Sequence, residues 1–172
     1  NNKAMILHVY EAAKKTNTGE VYVATPDQKI IDVVTNNGGK AILTSLDHQT
    51  GTDRVFEVFK YQLNSEPNII VNLQGDMPNI NSKAITNLIS YMSTGKCDIG
   101  TLASSFTSDA EIFDENNVKV ALKEKLRINQ FGQAIDFFRK EEKNYEYFYH
   151  HVGIYAFTNK ALVRYVSLKR SK

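Results

Sequence analysis

The chain carries one cysteine in 172 residues, Cys97. No internal disulfide can brace it, and a reducing compartment suits it. Cys97 has no evident base partner in sequence, so it is expected as a small core or boundary residue rather than a nucleophile. Also missing is any apolar run near the roughly 20 residues that span a bilayer, and no leader-like segment opens the chain. The expectation is a cytoplasmic protein without membrane insertion. Nor is there a clustered basic face. Net charge is +2, and the positive residues are scattered apart from Lys169, Arg170 and Lys172. Nucleic acid is therefore left out of the expected partners. No internal repeat or low-complexity tract is present. What remains is an ordinary globular composition, 42% hydrophobic and 23% charged, long enough for one domain with a substantial core.

Hydrophobic periodicity divides the chain into alternating elements. Met5 to Lys15 reads as a helix with Met5, Ile6, Val9, Ala12 and Ala13 on one face. Val21 to Thr25 is a short strand closed by Pro26 and Asp27. A helix through Ile30, Ile31, Val33 and Val34 stops at Gly38 and Gly39. Ala41 to Thr44 is a strand, Ser45 to Thr52 a loop, and Val55 to Leu63 a helix with Thr52 as its N-cap. Asn68 to Leu73 follows as a strand. Ser82 caps a helix carrying Ile85, Leu88, Ile89 and Met92, which Gly95 ends. Strands are expected over Asp98 to Phe106, Val118 to Leu122, Ala134 to Phe138 and Val152 to Phe157. The charge run Arg139 to Lys143 reads as a solvated loop. The last helix, Asn159 to Val166, turns Ala161, Leu162, Tyr165 and Val166 inward. The alternation over the first hundred residues implies right-handed βαβ units on a doubly wound, mostly parallel sheet, with an added mixed or antiparallel part.

Three stretches carry more polar chemistry than solubility asks. The apolar run Ile69 to Leu73 ends in Gln74, Gly75 and Asp76, and open α/β sheets hold ligands where such strands end. Gly75 permits close backbone approach, and Pro78 stops the strand. An Asp76 carboxylate at that rim suits a hard cation such as Mg²⁺ shared with substrate phosphates, though an aspartate here can also simply terminate a strand. Gln74 offers both a donor and an acceptor to a nucleobase edge. The second stretch is His48 to Arg54. Its glycine, two hydroxyls and helix-start N–H groups can hold a carbonyl or a phosphate, and Arg54 adds a planar fork; a capped helix start with surface charges is the plainer alternative. In the third, His151, Gly153 and Tyr155 share one face of a strand. Gly153 leaves a hollow between the two larger side chains that suits a carboxylated sugar, and a structural histidine is the alternative.

Taken together, Val23-Ala24-Thr25, Gly38-Gly39, His48 through Arg54, Val71 through Pro78, Val118-Lys119-Val120 and His151 through Tyr155 resemble the 3-deoxy-manno-octulosonate cytidylyltransferase family, the CMP-KDO synthetases. The resemblance runs from Asn1 to about Leu122 and from about Tyr147 to Lys172. It implies a Rossmann-like nucleotidyltransferase fold and transfer of CMP from CTP to the sugar acid KDO, with release of pyrophosphate, for lipopolysaccharide synthesis. Mg²⁺ is the implied cofactor and a cytoplasmic homodimer the implied state. By motif position, Asp76 is the metal ligand and a catalytic residue. Thr50, Gly51, Thr52, Arg54 and Gln74 take the nucleotide. His151 and Tyr155 face the sugar, and Arg139 is a catalytic residue that pairs with the sugar's carboxylate.

The chain departs from the family pattern in places. It has no counterpart of the family's phosphate-binding loop or of a second metal-binding aspartate near the C-terminus. It is shorter between Leu122 and Tyr147, and Phe138 stands where a serine is usual, Pro26 and Met77 where acidic residues are common. A single domain over 1–172, incomplete at both ends and around 123–146, is the expectation. Two other readings stay open: a cytidylyltransferase for another sugar acid, and a catalytically inactive nucleotide-binding relative.

Overall fold

The computed structural model describes residues 3–63, 66–128, 130–140 and 144–169. Two compact units are distinguishable, Asn1–Gly100 with Ile154–Lys172, and Thr101–Gly153. Each is described by itself.

The first unit alternates helix and strand: α1 (Met5–Lys14), β1 (Val23–Thr25), α2 (Gln28–Asn36), β2 (Ala41–Leu43), α3 (Gly51–Glu57), a π-helical turn (Val58–Gln62), β3 (Ile69–Asn72) and α4 (Ser82–Met92). The chain then enters β4 (Ile99–Ser104), and it returns to this unit through the later half of β7 (Phe148–Thr158) and α6 (Asn159–Ser167). β1 and β2 pair in parallel, Val23 opposite Ala41. β3 pairs antiparallel with β7, Ile69 opposite Thr158 and Asn72 opposite Tyr155. The α/β class with a parallel sheet and an antiparallel part is thus present. The parallel ladder holds two strands, and the antiparallel pairing begins one strand earlier than the alternation of elements suggests.

Local chemistry explains why these elements stop and start where they do. Asp27 caps α2 by accepting from the Lys29 amide at 2.8 Å. Gly38, at φ +72, closes that helix in the left-handed region that side chains avoid. The apolar faces of α1 and α2 meet β1 in a cluster of Leu7, Val23 and Val34. A second cluster joins Phe59, Ile70, Phe157 and Leu162. Each fully buried side chain of this size contributes about 1.5–3 kcal/mol. Gly100 admits α4 to β4: a Cβ there would lie 2.8 Å from the Leu88 side chain.

Several boundaries and faces differ from the periodicity. Leu7 rather than Met5 is buried on α1, so the inward arc is rotated by about one position. Thr50, not Thr52, caps α3. Asn81, not Ser82, caps α4; the Ser82 hydroxyl instead donates to the Ala12 carbonyl of α1. On α6 Leu162 is buried while Tyr165 is 47% exposed. Cys97 is half-buried against the Met92 sulfur, and burial raises its thiol pKa. That is the expected boundary residue.

The second unit is a small antiparallel arrangement. It holds the end of β4, the short helix α5 (Asp109–Phe113), β5 (Lys119–Leu122), β6 (Ala134–Phe138) and the first half of β7. β5 lies between β6 and β7, antiparallel to both. The expected strand over 134–138 is present with the same limits. Val118 to Leu122 alternates in side-chain type as a half-exposed strand does, but all four residues of β5 are buried. Lys119 is enclosed because its ammonium turns to the Asp114 and Arg139 carbonyls. α5, too short to show a period, carries no such signal in the sequence. Of the charge run, 141–143 lie outside the described residues, while Arg139 and Lys140 are exposed.

Candidate functional site

In the first unit, the segment between β2 and β3 is wired to itself. Thr50 and Asp53 form a reciprocal capping box: the Thr50 hydroxyl accepts from the Asp53 amide, and the Asp53 carboxylate accepts from the Thr50 amide. One residue on, the Arg54 guanidinium donates to the Thr44 hydroxyl and, at 2.8 Å, to the Ser45 carbonyl. One turn further, Glu57 accepts from the Ser45 amide at 3.1 Å and pairs with His48. Residues 50, 53, 54 and 57 recur at helical spacing, so one stripe of α3 holds the loop before it. His48 and then the Ser45 amide hold the Glu57 carboxyl below the usual carboxylate range.

The start of α3 lies against the end of β3. Asn72, only 4% exposed, donates from its amide to the Thr52 hydroxyl at 3.2 Å. A Cβ on Gly51 would stand 3.5 Å from the Gln74 amide nitrogen and 3.7 Å from that of Asn72. Those are ordinary van der Waals separations, so the helix start packs directly beside the polar rim at Gly51. Tyr155 sits opposite Asn72 in the ladder, stacked on Phe157 with ring centroids 6.1 Å apart. Burial, then Tyr165, raises the Tyr155 pKa, which keeps a neutral phenol at physiological pH. Thr50, Gly51, Thr52, Arg54, Gln74 and Tyr155 thus belong to one neighbourhood. Asn72 is a polar group there that the sequence reading passed over. A buried amide within an otherwise apolar strand was the available signal.

Asp76 follows two residues after Gln74, exposed, in the turn after β3. Among the described residues no three acidic, histidine or cysteine side chains gather as a metal cage. The donor set at this rim is one exposed carboxylate, which fits a Mg²⁺ held mainly by substrate phosphates and water and does not fit an all-protein site. A shallow hollow of about 530 Å³ borders the same segment, lined among others by Asp47, His48, Asp53, Phe56, Glu57 and Tyr61. Its polar walls are the loop's own clamp and include neither Gln74 nor Asp76, so it is a by-product of that clamp rather than the substrate cleft.

In the second unit His151 is half-buried. Its Nε2 lies 2.9 Å from the Thr101 hydroxyl, and its ring stands edge-on to Phe137 at 5.0 Å. Burial, and then the neighbouring His150, lower its pKa, which keeps the ring neutral at pH 7. Arg139 donates from Nη1 to the carbonyls of Glu115 and Asn116 at 3.0 and 2.9 Å. Lys119, 2% exposed, donates to the carbonyls of Asp114 at 2.7 Å and Arg139 at 2.9 Å. The turn before β5 and the end of β6 are therefore cross-tied by Arg139 and Lys119 on backbone carbonyls and by an exposed Lys140–Glu115 ion pair at 3.1 Å. The sequence reading had no role for Lys119. His151 and Tyr155, expected to share one hollow, fall in different units, each with the neighbours given above.

An α/β chain with polar groups gathered at a strand end and a capped helix start is built as nucleotide-handling transferases are. The chain belongs to the cytidylyltransferase family, whose model matches residues 1–172. It is similar to the 3-deoxy-manno-octulosonate cytidylyltransferase of Thermodesulfovibrio yellowstonii, 37% identical over 99% of this chain and 71% of the relative. It is similar also to the 8-amino-3,8-dideoxy-manno-octulosonate cytidylyltransferase of Shewanella halifaxensis, 35% identical over 98% of this chain and 69% of the relative. Among solved structures it matches a CMP:2-keto-3-deoxy-manno-octonic acid synthetase complexed with CTP. That match has a TM-score of 0.80 at 35% identity and covers 97% of this chain and 68% of the other. A 4-diphosphocytidyl-2C-methyl-D-erythritol synthase from Anaerococcus prevotii, 14% identical with a TM-score of 0.62, shares the fold.

Proposed function

We propose that the chain transfers CMP from CTP to KDO. The sugar's anomeric hydroxyl attacks the α-phosphorus in line. A bond forms between that oxygen and phosphorus, the bond to the bridging oxygen of the β-phosphate breaks, and pyrophosphate leaves with its electron pair. The hydroxyl proton passes to solvent or to a base at the site. The observation that carries this reading is the meeting of the α3 start with the end of β3, where Gly51 lies beside Gln74 and Asn72 and the Asn72 amide donates to the Thr52 hydroxyl. In it, Gln74 reads the cytosine edge, and the helix-start residues Thr50, Gly51 and Thr52 face the rest of the nucleotide. Arg54 keeps the preceding loop in register through Thr44 and Ser45. Asp76 is the ligand that holds Mg²⁺ against the phosphates. When bound, the ion offsets the charge that develops on the leaving oxygens.

Tyr155 and His151 are assigned to the acceptor sugar. Arg139 is assigned to its carboxylate, which would meet the Nε and Nη2 edge of the guanidinium, since Nη1 is turned to the 115 and 116 carbonyls. A cytoplasmic setting and a role in lipopolysaccharide synthesis belong to the same reading. So does a homodimer: Ile135 and Phe137 are exposed on β6, the outermost strand of its ladder, and such edges tend to be covered. Sedimentation at micromolar concentration tests that part; a monomer contradicts it.

A second acceptor, the 8-amino analogue of KDO, is favoured by the Shewanella relative of nearly equal identity. Full-length protein with CTP and a panel of KDO, its 8-amino analogue and a sialic acid separates the cases. KDO as the best acceptor supports the proposal. A preference for the amino sugar or the sialic acid overturns the acceptor assignment, and ATP or GTP replacing CTP overturns the role of Gln74.

A further inference from the structure

Arg139 stands one residue past the end of β6, exposed, where a long side chain ordinarily samples many rotamers. It is held at both ends instead. Its guanidinium Nη1 donates to the carbonyls of Glu115 and Asn116 at 3.0 and 2.9 Å, and its own carbonyl accepts from the Lys119 ammonium at 2.9 Å. The same ammonium, 2% exposed, donates at 2.7 Å to the Asp114 carbonyl. Lys119 lies opposite Phe138 in the β5–β6 register, so its stem starts one residue from the carbonyl it reaches. The turn that receives these contacts is locked by its own hydrogen bonds. The Asp114 carbonyl accepts also from the Asn117 amide at 3.1 Å, and the Asp114 carboxylate accepts from the Asn116 amide at 2.8 Å. The Asn117 side chain donates to the Glu111 carbonyl at 3.0 Å.

We infer that Lys119 is a positioning residue for acceptor recognition: by holding the Asp114 and Arg139 carbonyls at once, it docks the arginine on the 114–117 turn and presents a preset guanidinium to the sugar's carboxylate. This deepens, and rests on, the assignment of Arg139 to that carboxylate. An ammonium suits the task because its three N–H groups diverge from one atom, and two carbonyls from separate segments fit on it. The rotational freedom that Arg139 gives up in the free protein is not lost again on binding, so the gain falls on acceptor affinity. The nucleotide is assigned to the first unit, and its affinity lies outside the effect.

Full-length wild type, K119M, R139A and the double variant are assayed with CTP against KDO and against its C1 amide. Denaturant melts set a temperature at which every variant is folded. Methionine keeps the apolar stem of the lysine and carries no donor. R139A should raise the KM for KDO and erase the preference for the acid over the amide. K119M should raise the KM for KDO about tenfold, reduce the acid preference by a similar factor, and leave the KM for CTP unchanged. In the double variant it should add nothing to the effect of R139A. A full acid preference in K119M overturns the inference. So does a K119M penalty that multiplies with that of R139A, because it reports general loosening. The geometry is read separately by ¹⁵N NMR of the wild-type lysine ammonium without substrate. Lys119 Nζ is expected to exchange slowly and to couple across its hydrogen bonds to the Asp114 and Arg139 carbonyl carbons, and an ammonium in rapid exchange with solvent overturns the inference whatever the variants do. R139A with an unchanged KM for KDO sinks the arginine's assignment, and the inference with it, whereas the other failures leave that assignment standing.

Discussion

Two arginines, one in each unit, are held by the same chemistry and differ in how far their contacts reach along the chain. Arg54 ties α3 to Thr44 and Ser45, ten and nine residues away, within a clamp completed by Thr50–Asp53 and by Glu57 to Ser45 and His48. Arg139 ties the end of β6 to carbonyls 24 and 23 residues back, and Lys119 closes that tie from 20 residues away. In the first unit the wiring is short-range and redundant, carried by three side chains along a single helix. In the second it is long-range and centred on one enclosed ammonium, with Arg139 and an exposed Lys140–Glu115 pair beside it. A local clamp tolerates the loss of one member; a distant tie with one buried centre does not. The chemistry, though, is assigned mainly to the tolerant region, where Asp76 stands in an exposed turn.

The sharpest separation of chemistry from structure is expected at Asp76. Asp76→Ala should lower kcat/KM on the order of 10²–10³-fold through lost phosphate-charge stabilisation. As an exposed turn residue it should shift stability by no more than about 0.5 kcal/mol. Turnover near the wild-type value would remove Asp76 from the metal assignment. Lys119→Ala is next, and it acts on the fold. It removes an enclosed ammonium that donates to the Asp114 and Arg139 carbonyls and should cost about 3 kcal/mol in denaturant unfolding. A loss below about 1 kcal/mol would show that the second unit is as tolerant as the first, and the contrast between them would go.

Thr50→Ala removes one arm of the capping box and is expected to cost about 1 kcal/mol, with Arg54 and Glu57 still holding the loop. A loss as large as that of Lys119→Ala would mean that the clamp is not redundant. The smallest effect concerns acid. The folded-state pKa of Glu57 lies below its unfolded value, so the His48–Glu57–Ser45 contacts stabilise the fold fully above the unfolded pKa. That contribution fades as pH falls through the lowered folded pKa, below the usual carboxylate range. Thermal melts between about pH 6 and about pH 3 should show a steeper decline for wild type than for Glu57→Gln. Parallel profiles would exclude the pair as a contributor.

The same contrast of range explains what could be read from sequence. The strand ending in Gln74-Gly75-Asp76 and the polar run from His48 to Arg54 declare themselves by composition, and they meet in the fold because α3 and β3 are neighbours. The exact caps were missed by one or two residues. Thr50 and Thr52 are equally good capping types, and only the Asp53 carboxylate returning to Thr50 decides between them. β5 misled for a different reason. Val118 through Leu122 alternates as a half-exposed strand does, yet the Lys119 ammonium is taken up by the Asp114 and Arg139 carbonyls. Sequence period reports side-chain type, not which distant carbonyls a side chain reaches. Thr101 gave no signal at all, since its partner lies 50 residues away.

The central claim is tested most directly by incubating full-length protein with CTP, KDO and Mg²⁺ and following product by ³¹P NMR. The account predicts a phosphodiester resonance from sugar-linked CMP, appearing in step with pyrophosphate and only when both substrates are present. Pyrophosphate with free CMP and no sugar conjugate, or no consumption of CTP at all, would contradict it.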